Sequence, residues 1–250
     1  MSHIRIYILY CAAAFLAGCQ PRTADTEGIA AAQTISLATT KGTVADKDDN
    51  IQLFPIDRED ERYDDGDKCP LDTVTASGWT IQYLVRNDAS KYKDLYIVCS
   101  KGNSKAVILS DFTNWKHIPV YAGENKSHIF FEHYCGFSCL SVTTVTKATK
   151  PADKRYEQVL DYDISSGQLV YNVSGNDPDD SVKVTAVDLS SKKQQLVAFN
   201  NLRPWQSLNA GVDSIVFKNG SIQLFAGLVD RNDPDEEDIV KESRVVSFDN

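Results

Sequence analysis

The sequence has few of the side chains from which catalytic and metal centres are usually built. It holds only 4 histidines and 6 cysteines among 250 residues. It contains no GxSxG, HExxH, Walker or SxxK pattern, which are local signatures of common hydrolases and nucleotide-binding enzymes. We therefore expect a protein that is not an enzyme and has no cofactor or metal. A hydrolase with dispersed carboxylates is the alternative, because a glycosidase-type pair leaves no local signature.

An excess of basic residues is also lacking. The 26 Lys and Arg are outnumbered by 35 Asp and Glu, and the formal net charge is −9. Binding to nucleic acid depends on clustered Lys and Arg that neutralise phosphates, and polybasic contact with a membrane needs the same residues. We expect neither, whereas a cationic protein partner would be attracted by the acidic chain.

The apolar run at the N-terminus is too short to span a bilayer, which takes about 20 residues. It follows Arg5, extends from Ile6 to Phe15, and precedes the tetrapeptide LAGC that ends at Cys19. A short apolar run behind a basic residue is typical of an export signal.

The LAGC tetrapeptide resembles the lipobox of bacterial lipoproteins. The resemblance implies a signal peptide at residues 1–18 and acylation of Cys19, for example with palmitate, so that the N-terminus is anchored in a membrane. Gln20 after the cysteine implies sorting to the outer membrane, with the domain facing the periplasm. Removal of residues 1–18 removes one base, Arg5, and no acid, so the net charge changes from −9 to −10.

Four cysteines remain after Cys11 leaves with the signal and Cys19 is acylated. An even number in an exported chain predicts two disulfides, and the sequence alone allows three pairings. The four are Cys69, Cys99, Cys135 and Cys139.

The stretch CGFSC favours one of these pairings. It lies between the runs HIFFEHY and CLSVTTV, and its glycine, Gly136, suits the turn of a hairpin. Such a hairpin would place Cys135 opposite Cys139 within disulfide distance, and Cys69 would pair with Cys99 by elimination. The alternatives are a zinc site that includes His133, which lacks a fourth ligand, and a redox dithiol, which normally has CxxC spacing.

The mature chain divides into two parts. Residues 19–67 are small, polar and acidic, which predicts a flexible tether in which IQLFPI docks on the domain. Residues 68–250 form a single all-β domain, because short β-rich runs alternate with turn residues at spacings of about ten. The segment PADKRYEQVL is the best helix candidate, since its proline suits a first helical turn. The β-rich runs are WTIQYLV, DLYIVCS, KAVILS, HIFFEHY, CLSVTTV, EQVLDYD, QLVYNVS, VKVTAVDL, QQLVAF, DSIVFK, SIQLFAGLV and SRVVSF.

Two local repeats bear on the architecture. YDISSGQLV recurs as VDLSSKKQQLV, and QLVYNVSGNDPDD recurs as QLFAGLVDRNDPDEED. This strand, Asp-turn, strand pattern resembles the blades of β-propellers, although no WD or kelch signature is present. We expect an antiparallel meander stapled by disulfides and closed as a small propeller-like fold, with a curled sheet or a two-sheet sandwich as alternatives. Calcium at the NDPD turns is a further alternative to simple solvated turns.

Two segments are candidates for recognition because Trp, Tyr and Arg commonly anchor interfaces on loops. Residues 111–127 carry Trp115, His117 and Tyr121, and residues 200–211 carry Arg203 and Trp205. The alternative is that the tryptophans close the core.

These features together predict a lipid-anchored binding module of the bacterial envelope. A protein partner is favoured, and an inhibitor or immunity protein against an envelope-acting enzyme or toxin is the concrete form. The alternative is a carbohydrate- or peptidoglycan-binding module in which Trp115 or Trp205 stacks on sugar rings.

Overall fold

The fold is all-β and antiparallel, as the sequence predicts. The computed structural model describes residues 33–35, 51–57, 70–86, 95–110, 117–136, 139–173, 182–199, 202–204, 211–230 and 239–248. All of them lie in one compact unit, Ala31–Asn250. Within these ranges the regular structure is β-strand, without an α-helix, and so no described helix is long and apolar enough to cross a membrane.

The first sheet contains six strands. Its hydrogen-bonded order is β1-β2-β4-β5-β6, and β3 also pairs with β4. The central row places Tyr83 opposite Ile97, and Ile97 opposite Ile108. The strands are β1 (Gln33–Ile35), β2 (Ile51–Pro55), β3 (Thr73–Val74), β4 (Thr80–Arg86), β5 (Leu95–Lys101) and β6 (Ser104–Ser110).

The other three sheets follow one another along the chain and contain four strands each. The second is ordered β7-β8-β9-β10, the third β11-β12-β13-β14, and in the fourth β17 pairs with β15, β16 and β18. Each is built from consecutive antiparallel strands, which short connections permit. Their strands are β7 (Val120–Glu124), β8 (His128–Gly136), β9 (Cys139–Thr146), β10 (Asp153–Tyr156), β11 (Val159–Asp163), β12 (Gln168–Asn172), β13 (Val182–Asp188), β14 (Lys193–Phe199), β15 (Leu202–Pro204), β16 (Val212–Lys218), β17 (Ser221–Asp230) and β18 (Ile239–Ser247).

The sheets pack face to face in chain order. One apolar cluster joins sheets 1 and 2, a second joins sheets 2 and 3, and a third joins sheets 3 and 4. In β8, Ile129 and Phe131 face sheet 1 while Phe130 faces sheet 3, and all three are fully buried. The run Ile129–Phe131 is continuously apolar because both faces of this strand are covered. Each buried Phe contributes about 1.5–3 kcal/mol relative to an exposed one.

The strands of all four sheets end at two opposite ends of the fold. We call one of them the short-turn end, because it carries the tight connections β5–β6, β7–β8, β11–β12, β13–β14 and β16–β17. The opposite strand ends, which include Arg86, Gly136 and Val182, form what we call the far end. Where consecutive strands pair with each other they are antiparallel, so their successive connections alternate between the two ends.

Side chains join neighbouring sheets at the short-turn end. Glu124 of sheet 2 accepts hydrogen bonds from Ser77 of sheet 1, and Asn125 Nδ2 donates to the Ile164 carbonyl of sheet 3 at 2.9 Å. Lys193 Nζ donates to the Phe248 carbonyl, at 2.9 Å, between sheets 3 and 4. Each pair of sheets in contact therefore has a polar link at this edge.

All twelve runs proposed as strands contain strands, and the first repeat is confirmed as two hairpins of sheet 3. In each hairpin an aspartate caps the turn. Asp163 accepts from the Ser165 and Ser166 amides at 3.1 Å, and Asp188 accepts from the Ser190 amide at 2.8 Å. The aspartate and serines of the repeat are thus turn chemistry.

The helix candidate PADKRYEQVL is wrong. Its first half is β10, in which Asp153 pairs with Val145, and its second half enters β11. The chain reverses at Gln158, whose φ of 52° is left-handed and incompatible with a continuous helix. Pairing with the edge of β9 satisfies the backbone groups of this segment, so tertiary context overrides its weak helical preference.

Some segments that the sequence predicts to be tether or loop also contain strands. IQLFP forms β2, in which Leu53 pairs with Arg86 and is 1% exposed, so its predicted docking on the domain is confirmed. The sheet region therefore starts earlier in the chain than residue 68. The two recognition segments contain β7 and β15, which extend the edges of sheets 2 and 4.

The predicted Cys69–Cys99 disulfide is not supported. Cys99 is a free thiol, 0% exposed, in the apolar cluster between sheets 1 and 2. Its central place in β5 turns the side chain into the core, and burial raises the pKa of the thiol to about 12. Cys69 lies outside the described residues. The hairpin that carries Cys135 and Cys139 is confirmed, with Gly136 opposite Cys139, and the bond between the two cysteines stays a prediction.

Candidate functional site

A polar cleft opens between sheets 1 and 2 at the short-turn end. Its volume is about 760 Å³. One wall comes from the turn before β4, which contains Ser77, and from the β5–β6 hairpin, in which Ser104 is the first residue of β6. The other wall comes from the β7–β8 turn and from the start of the β9–β10 connection. Trp79, 4% exposed, lies at its base.

Hydrogen bonds from Ser77 to Glu124 hold the two walls together, and Glu124 forms an ion pair with Lys147 of its own wall. Glu124 Oε1 accepts from the Ser77 amide at 2.6 Å, and Oε2 accepts from the Ser77 hydroxyl at 2.7 Å. Lys147 Nζ lies 2.6 Å from Oε2 of the same carboxylate. The side chains of Lys147 and Glu124 are only 8% and 9% exposed. Charge-assisted hydrogen bonds in such a sheltered position are stronger than neutral ones.

The turn that carries Glu124 is itself ordered by a dense network. Lys147 Nζ also donates to the Asn125 carbonyl at 2.6 Å. Asn125 Oδ1 accepts from the Ser127 and His128 amides, both at 2.9 Å, which closes an Asx turn. The cleft wall is therefore preorganised rather than loosely placed.

Glu124 is a structural anion in this arrangement. Burial raises the pKa of its carboxyl, but the hydrogen bonds from Lys147 and Ser77 outweigh burial and lower it from 4.5 to about 2. A general acid or base works best with a pKa near the operating pH, and Glu124 stays ionised far from that range. Its position joins sheets 1 and 2 and does not resemble a proton-transfer site.

The cleft is cationic although the chain is acidic. Lys147 neutralises Glu124, and two further lysines, Lys101 and Lys126, line the opening. Lys101 Nζ donates to the Ser77 carbonyl, and Lys126 is exposed. Neither forms an ion pair with another described residue. Two uncompensated positive charges thus flank a polar opening in a chain whose net charge is −9.

At the far end, two exposed apolar side chains lie on sheet 2. Tyr134 is 64% exposed and Val120 is 47% exposed. Val120 pairs with Glu132, Tyr134 follows two residues later on the same face of β8, and Tyr134 pairs with Leu140. We call these four residues the Tyr134 surface. Glu132 Oε2 accepts from the Tyr162 hydroxyl at 2.6 Å, which fixes the carboxylate beside the apolar groups.

The described recognition candidates have different roles. Tyr121 packs edge-on against Phe131, with ring centroids 6.3 Å apart, and is therefore partly core rather than a free anchor. His117 is partly exposed at the far end, and its charge acts on buried His133. Burial, with Arg155 and His117, lowers the pKa of His133 to about 4, so that this imidazole is neutral at physiological pH.

The other predicted site residues lie outside what can be described. Cys19, Trp115 and Trp205 fall outside the described residues. Arg203 lies in β15, where its backbone pairs with Val229. Within the described ranges, no group of three or more His, Cys, Asp or Glu side chains could hold a metal ion.

The cleft residues were not singled out from the sequence. Ser77 and Glu124 are 47 positions apart, and Lys147 lies in a third turn. A local signal was present in GENKS, a charged turn between two β-rich runs. It marks a turn but does not indicate which other turns lie beside it.

Comparisons of the chain with protein-family models, with curated proteins and with solved structures found no match to any of them.

Proposed function

We propose that this chain is a non-catalytic binding module of the bacterial envelope, held on the outer membrane by lipid at Cys19 and facing the periplasm. Its partner is a protein, and an inhibitor or immunity role against an envelope-acting enzyme or toxin is the concrete form. The observation that carries the proposal is the Tyr134 surface. Tyr134 is 64% exposed and lies beside a half-exposed valine on a packed sheet, and an exposed tyrosine in such a position is suited to anchor a protein partner.

The scaffold supports this role. Sheets 1 to 4 pack in series, and both faces of the inner sheets are buried, so recognition falls to the strand ends and edges. We propose the four sheets as blades of a small propeller-like fold, because each is antiparallel and they follow one another along the chain. We also propose the Cys135–Cys139 disulfide, which would brace the β8–β9 hairpin directly beside Tyr134.

The charge supports a cationic partner. Glu132 is held within the Tyr134 surface by the Tyr162 hydroxyl, and the whole chain has a net charge of −9. An acidic surface attracts a basic protein over distances of about 10 Å at 0.1 M salt, and raising the salt shortens that range. Association should therefore be faster at low salt.

The test uses the full-length protein, purified in a neutral detergent, as bait for envelope and secreted proteins at low and high salt. A captured partner is then purified and its affinity for the bait is measured. Tyr134→Ala should weaken binding by about 30-fold, as expected for loss of a tyrosine anchor. Leu196→Ala is the matched control, because Leu196 is also exposed, at 58%, but lies on β14 of sheet 3. Equal affinities for the two variants would refute the proposed surface.

The membrane anchor needs its own test. Growth with a labelled fatty acid should label the wild-type chain, and Cys19→Ser should abolish the label. Labelling of the Cys19→Ser variant would contradict the lipoprotein proposal.

A further inference from the structure

The cleft between sheets 1 and 2 has a lining that suits a ligand different from the cationic protein proposed for the Tyr134 surface. Three lysines and one glutamate line it, and the glutamate is already paired with Lys147. Lys101 and Lys126 therefore leave the opening with excess positive charge. Such an opening attracts anions and repels basic proteins.

The composition of the cleft lining further limits the class of ligand that can bind. Sites for apolar small molecules are lined mainly by hydrophobic and aromatic side chains. The lining of this cleft combines apolar surface with hydroxyls, among them Ser104, and with small side chains such as Ala76 and Ala148 that leave space. Its volume of about 760 Å³ accommodates a molecule of one or two sugar rings. The lining thus matches a hydroxyl-rich ligand.

The walls of the cleft are also set before any ligand arrives. Glu124 fixes Ser77 through two hydrogen bonds, of 2.6 and 2.7 Å, and Lys147 fixes the opposite turn through the Asn125 carbonyl. Lys101 is steered towards the cleft by its hydrogen bond to the Ser77 carbonyl. A preorganised site loses less conformational entropy on binding than a flexible one.

We infer that the cleft between sheets 1 and 2 binds a small saccharide that carries a carboxylate or a phosphate group. Lys101 and Lys126 hold the anionic group, and the hydroxyl-bearing walls face the sugar. The inference does not rest on the proposed protein interface, since the Tyr134 surface lies at the far end of the same strands. Loss of either site leaves the other testable.

The experiment titrates the full-length protein in neutral detergent with four probes, followed by NMR of the Trp79 indole N–H and by calorimetry. The probes are glucuronate, glucose 6-phosphate, glucose and inorganic phosphate. Glucuronate distinguishes a carboxylate from the phosphate of glucose 6-phosphate, glucose lacks the anion, and inorganic phosphate lacks the sugar. We expect at least one anionic sugar to bind more tightly than both glucose and inorganic phosphate.

Variants assign the binding to the cleft. Lys126→Gln should weaken binding by about threefold to fivefold, the range for an exposed charge pair, and Lys101→Gln should have a similar effect. Lys126 is exposed, so its variant should fold even if loss of the Lys101 hydrogen bond disturbs the other. Lys218→Gln is the control, because Lys218 is exposed on sheet 4 and contacts Gln223.

Three results would overturn the inference. The first is the absence of binding by either anionic sugar at millimolar concentration. The second is that glucose or inorganic phosphate binds as tightly as the anionic sugars. Such a result would show that the cleft does not recognise the anion or does not recognise the sugar. The third is an affinity that falls no further with Lys126→Gln than with Lys218→Gln.

Discussion

Replacement of Glu124 by glutamine tests how much the buried ion pair with Lys147 stabilises the fold at the point where Glu124 also accepts hydrogen bonds from Ser77 of the first sheet. The hydrogen bonds from Lys147 and Ser77 lower the pKa of the carboxyl from 4.5 to about 2. At about 1.36 kcal/mol per pKa unit, this corresponds to about 3 kcal/mol of stability in the ionised form. The glutamine removes the charge and leaves the Lys147 ammonium, 8% exposed, without its anion. Breaking a buried pair in this way typically costs about 3–5 kcal/mol.

We therefore expect Glu124→Gln to lower the free energy of unfolding by about 3 kcal/mol, measured by urea denaturation at pH 7. The matched control is Glu157→Gln, because Glu157 pairs with Arg155 at 3.4 Å with side chains that are 69% and 44% exposed. An exposed pair contributes about 0–1 kcal/mol, so the control should be nearly neutral. A double-mutant cycle with Lys147→Met should assign most of the loss to the pair.

The pH dependence gives a second measurement of the same pair. Because the folded pKa is lower than the unfolded pKa, the ionised carboxyl stabilises the fold above pH 4.5, and this stability is lost as the pH falls towards 2. The difference between wild type and Glu124→Gln should be full at pH 7 and should shrink steadily below pH 4.5. A loss smaller than about 1 kcal/mol at pH 7, or a difference that does not change with pH, would refute the reasoning.

Three further predictions concern other parts of the fold. The pKa of His133 is about 4 in the folded chain, against 6.5 for an ordinary histidine, so as the pH falls the unfolded chain binds a proton first. The free energy of unfolding should therefore fall by about 3 kcal/mol between pH 6.5 and pH 4. An NMR titration of the imidazole with a midpoint near 6.5 would contradict this. Cys99 should resist maleimide in the native protein and react after unfolding, whereas a Cys69–Cys99 linked peptide in a non-reducing digest would show that it is not a free thiol. Gly167→Ala should lower the free energy of unfolding by about 2 kcal/mol, and Gly102→Ala should lower it by about 1 kcal/mol. Both glycines have a left-handed φ, of 73° and 57°, but only a Cβ at Gly167 would also meet a neighbouring atom, Asn125 Nδ2, at 3.0 Å. Equal urea midpoints for the two glycine variants would show that the contact with Asn125 adds no destabilisation.

The strands that could be predicted are those whose own residues decide their structure. Runs such as HIFFEHY and VKVTAVDL combine β-branched and aromatic residues and form β8 and β13. The strands β7, β10 and β15 escaped prediction because they are short, polar or contain proline, and pairing with a neighbour makes them strands. Strand propensity depends on the neighbouring strand more than on the sequence of the segment itself.

The cleft could not be predicted for a related reason. Its charged residues come from separate turns, and each of those turns looks like an ordinary solvated connection in the sequence. Trp115 and Trp205 drew attention because Trp is a common anchor, and both lie outside the described residues. Trp79, at the base of the cleft, was predicted only as part of a strand, and it is 4% exposed and belongs to the core. Tyr134 was placed in a strand, but its exposure depends on what packs against that strand.

The sequence by itself determined the all-β class, the strand and turn positions of most of the chain, and the aspartate-capped hairpins of sheet 3. Those features arise from interactions between residues that are close along the chain, so local patterns carry them. The tertiary structure alone decided that the sheets pack in chain order, that Cys99 is buried as a free thiol, and that Ser77, Glu124 and Lys147 meet. These contacts join segments that are distant in sequence, and their energies depend on burial, which no single segment specifies.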